Sequence, residues 1–227
     1  MRIFLFTLLS VVFSSAAFAE RALSVDSYIV ELDEDVGGAD RSFYANDWWQ
    51  WAASMSGSES PVQDITGANC GVNQRGPVWY LAGGFGSSFI KRSCSIPSDR
   101  HLFFPAINML VFPPRGTEST CDQMKAMAAQ NNDRYVYVRV YLDGSQVQNA
   151  ERFRVGSLDC FDLMARAPAS ADASSIAPSA TDGYWIMLRP LPLGQHRLEF
   201  RAFYTNPDFD FGGMVQNISY DLTIVEN

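Results

Sequence analysis

The sequence predicts a mostly-β protein, an antiparallel β-sandwich of jelly-roll type carrying two short helices. Three observations carry that expectation. At least seven apolar runs of strand length are bounded by glycine, proline or other turn residues. In the clearest of them apolar and polar residues alternate with a period of two, the mark of a sheet with one wet face. Only two stretches combine helical spacing with a cap, too few for an α/β architecture. A closed barrel is the alternative way to arrange such strands.

The first 19 residues carry a single positive charge at Arg2, an apolar run over 3–13 and small residues at Ala17 and Ala19. This is the layout of a cleaved signal peptide, too short and too weakly flanked to anchor in a membrane. The expected mature product is one soluble domain over residues 20–227, exported and either periplasmic or secreted. Loss of Arg2 leaves 16 basic against 25 acidic residues and a net charge of −9. Such a surface disfavours nucleic acid and anionic membranes. No later run is apolar enough to insert stably in a bilayer.

Residues 25–32, VDSYIVEL, read as a first strand. The acidic stretch that follows resembles a calcium loop at Asp33, Asp35 and Gly38, but Gly37 and Tyr44 fall where ligands are required, so it reads as a solvated turn. Asp40 is placed to cap a helix through RSFYANDWWQWAASM, with Gly57 beyond its end. On that helix Tyr44, Trp48, Trp51 and Met55 recur every three or four residues and form one stripe, which predicts core. Trp49 points off the stripe and is a candidate ligand-binding residue.

Three strand-length runs follow, GPVWYLAGG, SSFIKRSCSIP and HLFFPAINMLVF, the last bent or at an edge because of Pro105. A second helix is expected over STCDQMKAMAAQNN, capped by Ser119 or Thr120. In YVYVRVYLDG, Val136, Val138, Val140 and Leu142 alternate with Tyr135, Tyr137, Arg139 and Tyr141 ahead of an Asp-Gly hairpin turn. Residues 165–183, rich in Ala, Ser and Pro, read as a flexible exposed loop within the domain. YWIMLRPL, QHRLEFRAFY and MVQNISYDLTIV then complete the strands, with Ile218, Tyr220, Leu222 and Ile224 sharing one face.

Four cysteines in an exported chain imply two disulfides. Three pairings exist; Cys70 with Cys94 and Cys121 with Cys160 is favoured because neighbours in sequence close the shortest loops. With no CxxC and two histidines, neither a metal site nor a cofactor is expected.

Several blocks resemble an uncharacterised family of exported bacterial proteins: W-W-Q-W, P-V-Q-D-I-T-G-A-N-C, G-P-V-W-Y-L-A-G-G-F-G, R-S-C-S-I-P, H-L-F-F-P-A-I-N and D-G-Y-W-I-M-L-R-P-L-P-L-G-Q-H-R-L-E-F. The likeness runs from about Asp47 to the final strand. It implies an exported single domain centred on residues 76–86 and brings no activity with it. The chain departs from the pattern at Ser98, Asp99 and His101, so no shared catalytic role passes to His101.

The chemistry that remains is sparse. There is no GxSxG, and GGFG at 83–86 lacks the rest of a phosphate loop. His196 reads as a polar edge residue. Asp64 is the weak catalytic candidate, a carboxylate among Gln63, Thr66 and Asn69; a glycosidase would need a second carboxylate opposite it, whereas an Asx turn needs none. For a ligand, aromatics beside amides or carboxylates grip a sugar by stacking and hydrogen bonds. Trp79 and Tyr80 face opposite ways on one strand, so one of them points outward, and Tyr137 leads a possible ladder of phenols. The expectation is therefore a non-catalytic β-sandwich that binds a glycan or cell-surface component. The alternatives are a carboxylate-dependent hydrolase and an accessory protein acting through protein contacts. Oligomeric state stays open.

Overall fold

The computed structural model describes residues 24–86, 88–133, 136–168, 174–205 and 212–227. The expected signal peptide, Tyr135 and part of the 165–183 loop lie outside them. The described residues form two sheets and two α-helices: α1 (Arg41–Ala53), β1 (Val78–Tyr80), β2 (Ser88–Pro97), β3 (His101–Val111), α2 (Cys121–Ala129), β4 (Val136–Leu142), β5 (Ser145–Gln146), β6 (Arg154–Gly156), β7 (Ala180–Leu188), β8 (Gly194–Thr205) and β9 (Gly213–Val225).

The four-stranded sheet runs β1-β3-β7-β6 and the five-stranded sheet β2-β9-β8-β4-β5. Their facing sides share one core, in which Phe104 of β3 stacks on Phe200 of β8 at 4.9 Å and Ile186, Ile218 and Leu222 are fully buried. The protein is thus mostly β with two layered sheets. The purely antiparallel expectation is corrected: β1 pairs with β3, and β2 with β9, in parallel. Alternation dictates which side chains turn inward but leaves the direction of the neighbouring strand open. The last strand of the chain fills the place beside β2.

The other side of the four-stranded sheet is covered by α1. Asp40 caps this helix by accepting from the Phe43 amide at 2.7 Å. Tyr44, Trp48 and Trp51 are buried against Tyr80, Phe103, Trp185 and Met187, as their helical spacing predicts. The helix ends at Ser54 rather than near Gly57, and Met55 is only half-buried beyond it. The expected first strand at 25–32 is corrected: Val25–Tyr28 is a single 3-10 turn, and Ile29 makes only a bridge to Leu188.

Pro105 and the residue after it set the direction of every later side chain on β3. β3 lies between β1 and β7, but its pairing with β1 ends at Phe103, so Pro105 has a strand partner on the β7 side alone, where the strand bulges. Between Pro105 and Ile107 the register with β7 slips by one residue. Such a bulge reverses the face to which later side chains point. Phe103 faces the helix layer while Phe104, Ala106 and Ile107 all face the other sheet, which turns Asn108 back toward the helix. The expected loop 165–183 is also shorter at its end, because Ala180 to Gly183 already belong to the fully buried β7.

Both favoured disulfides are present, Cys70–Cys94 and Cys121–Cys160, and no cysteine is free. The first pins the segment before β1 onto the outer strand β2. The Ser93 amide donates to Thr66 O at 2.9 Å, and Gly67, at φ +93°, passes so close that a Cβ there would lie 2.1 Å from Ser93 O. Arg92, fully buried, donates to the carbonyls of Val62, Asp64 and Ala82. A strand edge covered in this way is closed to further pairing. At α2, Thr120 forms a capping box with Gln123, and no described helix is long and apolar enough to cross a membrane.

Candidate functional site

A small cleft lies where α1, the loop after β1, the bulged part of β3 and the start of β9 meet. Trp48 and Trp49 line it from the helix, Val62 from the segment ahead of β1, Gly83, Gly84 and Phe85 from the loop, Pro105, Ile107 and Asn108 from β3, and Gln216 from β9. The whole cleft offers about 10 Å³, room for one water-sized group. Blocks of sequence as far apart as W-W-Q-W and H-L-F-F-P-A-I-N converge here.

Each wall is held in place from behind. The Trp48 indole donates to Leu81 O at 2.9 Å, and the Trp49 indole donates to Thr181 Oγ1 at 2.8 Å, with the two rings edge to face at 5.0 Å. Gln216 is buried and holds the glycine loop by three bonds: its Oε1 accepts from the Gly84 amide at 2.9 Å, and its Nε2 donates to Gly84 O at 3.1 Å and to Gly86 O. Side chains cannot replace the glycine at 84, where a Cβ would fall 2.1 Å from Ser88 Oγ. With its backbone clasped, this loop presents Phe85 at 56% exposure. Asn108 comes close to β7 because its partner there is Gly183, whose Cβ would meet that of Asn108 at 2.5 Å. The Asn108 Nδ2 is buried without a hydrogen-bond partner.

An unpaired buried donor destabilises a fold by roughly 1 to 3 kcal/mol, and the Asn108 Nδ2 is such a donor, closed to solvent at the edge of the cleft. Trp48, Trp49 and Phe85 give the cleft aromatic walls, and none of the side chains lining it is titratable. A broader depression, of about 390 Å³, separates residues 112–117 from residues 174–177, with Phe112 and Ile176 among its lining.

The residues singled out from the sequence separate into several places. Trp49 lies in the cleft. Tyr80 is 1% exposed beneath α1, its hydroxyl donating to Asp47 Oδ2 at 2.6 Å; burial, with the Asp47 charge beside it, pushes its phenol well above the usual range. As a ligand contact it is corrected. Trp79 packs against the inter-sheet core as a half-buried ring near Arg75 and Arg100, so the outward partner of the pair is only partly outward. Tyr137 sits on the outer face of the five-stranded sheet, stacked on Phe203 at 5.1 Å with the Arg139 guanidinium 4.6 Å from its ring centre. That face is wet, and Tyr141 shares it by parity.

Asp64 accepts at one oxygen from the Thr66 amide and hydroxyl, both at 2.7 Å, and at the other from the Asn69 amide at 2.8 Å. Burial works to raise its pKa, but these bonds outweigh it and hold the carboxyl below its ordinary value. Both oxygens therefore serve the turn, as in the Asx reading. Asp182, inside the expected loop, is instead buried and paired with Arg154 at 2.9 Å, and accepts from Asn132 at 2.7 Å. His196 is held between Asp143 Oδ2 at 2.7 Å and Pro192 O at 3.0 Å in the β4–β5 hairpin region. Burial holds the His101 ring below its ordinary value.

Phe85, Asn108 and Gln216 were not among the sequence-level candidates. One signal for Gln216 was available: counting back by twos from Ile218 places a glutamine on the apolar face of β9, where a polar side chain needs a task. Asn108 had no such signal, since its direction depends on the bulge.

No family model matches this chain, and the searches of curated proteins and of solved structures return no significant match. What fold and cleft together define is a disulfide-linked two-sheet β domain with a helix-covered face that opens to solvent beside Trp49.

Proposed function

We propose that the chain is an exported, non-catalytic carbohydrate-binding protein of the family it resembles, a jelly-roll type sandwich that takes a sugar at the Trp49–Phe85–Asn108 cleft. The observation that carries this reading is a cleft in which the exposed Phe85 and the half-buried Trp49 stand with the Asn108 side chain. Sugars present C–H faces to aromatic rings and oxygen acceptors to amides. Two disulfides support an oxidising compartment. The hydrolase reading finds no support in Asp64, whose carboxylate is spent on its own turn.

The test is a glycan-array screen followed by calorimetry with the hits, using wild type, Phe85→Ala and Asn108→Asp, each checked by thermal melting. A folded wild type that binds, with both variants at least about tenfold weaker, about 1.4 kcal/mol, supports the proposal. No binding by wild type, or unchanged affinity in both folded variants, overturns it.

A second reading has its own observation. Tyr137, Phe203 and Val215 are consecutive cross-strand partners on the outer face of the five-stranded sheet, and Phe89 beside them is 74% exposed. An apolar strip of this kind suits contact with a protein. Phe89→Ser would then abolish co-purification of that partner while leaving glycan binding intact.

A further inference from the structure

The depression between residues 112–117 and 174–177 is lined by none of the residues of the Trp49 cleft. Its volume of about 390 Å³ falls within the roughly 300 to 1,000 Å³ of small-molecule sites. Both walls are held by the chain itself. On one, Thr117 closes a turn, donating to Pro114 O from its amide at 3.1 Å and from its hydroxyl at 2.7 Å. Gly116 supplies the φ of +79° that the turn needs, and Arg115 stands at its tip. On the other wall, the Ile176 amide donates to Asp162 Oδ1 at 2.9 Å, and Ser175 bonds to the same carboxylate. Ile176 O accepts from the Leu163 amide at 3.1 Å and the Ser179 hydroxyl at 2.8 Å.

The hydroxyls of Thr117 and Ser175 are thus spent on the walls, while the Arg115 guanidinium is not. Among the described residues, Arg41 and Arg92 donate to main-chain carbonyls and every other lysine and arginine meets a carboxylate, except Arg115. No described carboxylate lines the depression, and Phe112, Ile176 and Ala177 give it apolar surface. A neutral apolar ligand would leave the guanidinium unpaired. A polyanion would find one cation here and the repulsion of a chain with net charge −8. A single negative charge on an apolar body meets both the guanidinium and the walls.

We infer that this depression binds an amphipathic monocarboxylate, its carboxylate paired with Arg115 and its hydrocarbon body lying between Phe112 and Ile176. The inference goes beyond the carbohydrate reading and does not depend on it.

The experiment titrates the protein with octanoate, octanol, octylammonium, octyl phosphate and acetate, by calorimetry and backbone NMR. Octanoate should bind at least about fivefold more tightly than octanol, the worth of one partly exposed ion pair, and shift the amides of residues 112–117 and 174–177. Acetate, without the apolar body, should not saturate. Arg115→Gln should erase the preference for octanoate over octanol at an unchanged melting temperature. Arg115→Glu should turn the preference over to octylammonium, a gain that misfolding cannot produce. Phe112→Ser should weaken octanoate and octanol alike. Failure of octanoate to bind, octanol binding as tightly, shifts confined to other parts of the chain, or an unchanged preference in folded Arg115→Gln overturns the inference. Tighter binding of octyl phosphate than of octanoate overturns the choice of a carboxylate. The glycan-array result is read separately, so either reading can fall alone.

Discussion

The two faces of the four-stranded sheet are built from the same strands yet meet different demands. Toward the five-stranded sheet, β3 and β7 present Phe104, Ile107, Ile186 and Leu188 to a core of aliphatic and phenyl groups. Toward α1 they present Phe103, Trp185 and Met187 to a cluster rich in indoles and phenols, most of whose polar tips must find partners. Trp48, Trp51 and Tyr44 donate to backbone carbonyls of Leu81, Val72 and Val36. Arg41 is buried there, and its guanidinium donates to the carbonyls of Val30, Glu31 and Trp185. Burial pulls its pKa down to about 10, against the pull of Glu31 and Glu34, so it stays charged at neutral pH. The sheet side is stabilised by apolar area, which tolerates no opening. The helix side depends on a set of directed bonds, and two of its donors, Trp185 Nε1 and Asn108 Nδ2, are left without a partner.

The largest tests of this contrast are truncations on each face. Phe104→Ala and Trp51→Ala should each cost about 3 to 5 kcal/mol in denaturant unfolding; if Trp51→Ala costs less than about 1 kcal/mol, α1 is not a true core layer. Arg41→Met keeps length and removes the donors, and strands three carbonyls. It should cost at least about 3 kcal/mol; a neutral result would mean the helix layer does not depend on its directed bonds.

Trp48→Phe should cost about 1 kcal/mol more than Trp185→Phe, because the Trp48 N–H is bonded to Leu81 O while the Trp185 N–H has no partner. Equal losses in thermal melts would erase the distinction between satisfied and unsatisfied tips. Asn108→Leu should leave stability unchanged or raise it by about 1 kcal/mol, since the unmet donor disappears. A clear destabilisation would show the amide to be structural.

The smallest effect lies away from both faces, in the turn that covers β2. Asp64→Ala should cost about 1 kcal/mol at neutral pH, as for other carboxylates that cap backbone amides. Because the folded pKa of Asp64 is below its unfolded value, its contribution is complete above the ordinary carboxylate range and is lost as pH falls through the folded pKa. The gap between wild type and Asp64→Asn in melting temperature should therefore shrink on acidification below about pH 4. A constant gap would contradict the role given to this carboxylate.

Legibility in the sequence followed the same division. Strands facing the second sheet were visible because alternation records burial residue by residue, as in Val138, Val140 and Leu142 or Ile218 to Ile224. The Trp48–Trp51 stripe and both helix caps were visible for the same local reason. Tyr80 could not be assigned, because parity says that Trp79 and Tyr80 differ and not which of them meets the helix. Residues 180–183 looked like loop since Ala, Thr, Asp and Gly carry little hydrophobic signal, although β7 buries all four.

What the chain determined by itself is whatever depends on neighbours a few residues away: the period of each strand, the helix caps, the Asp64 turn, and, through loop length, the pairing of the cysteines. Tertiary structure decided the rest, because direction and partner are settled only when distant segments compete for one place. Parallel pairing of β2 with β9, the helix lid over one face, and the bulge that turns Asn108 toward Trp49 all follow from packing that no short window of sequence contains.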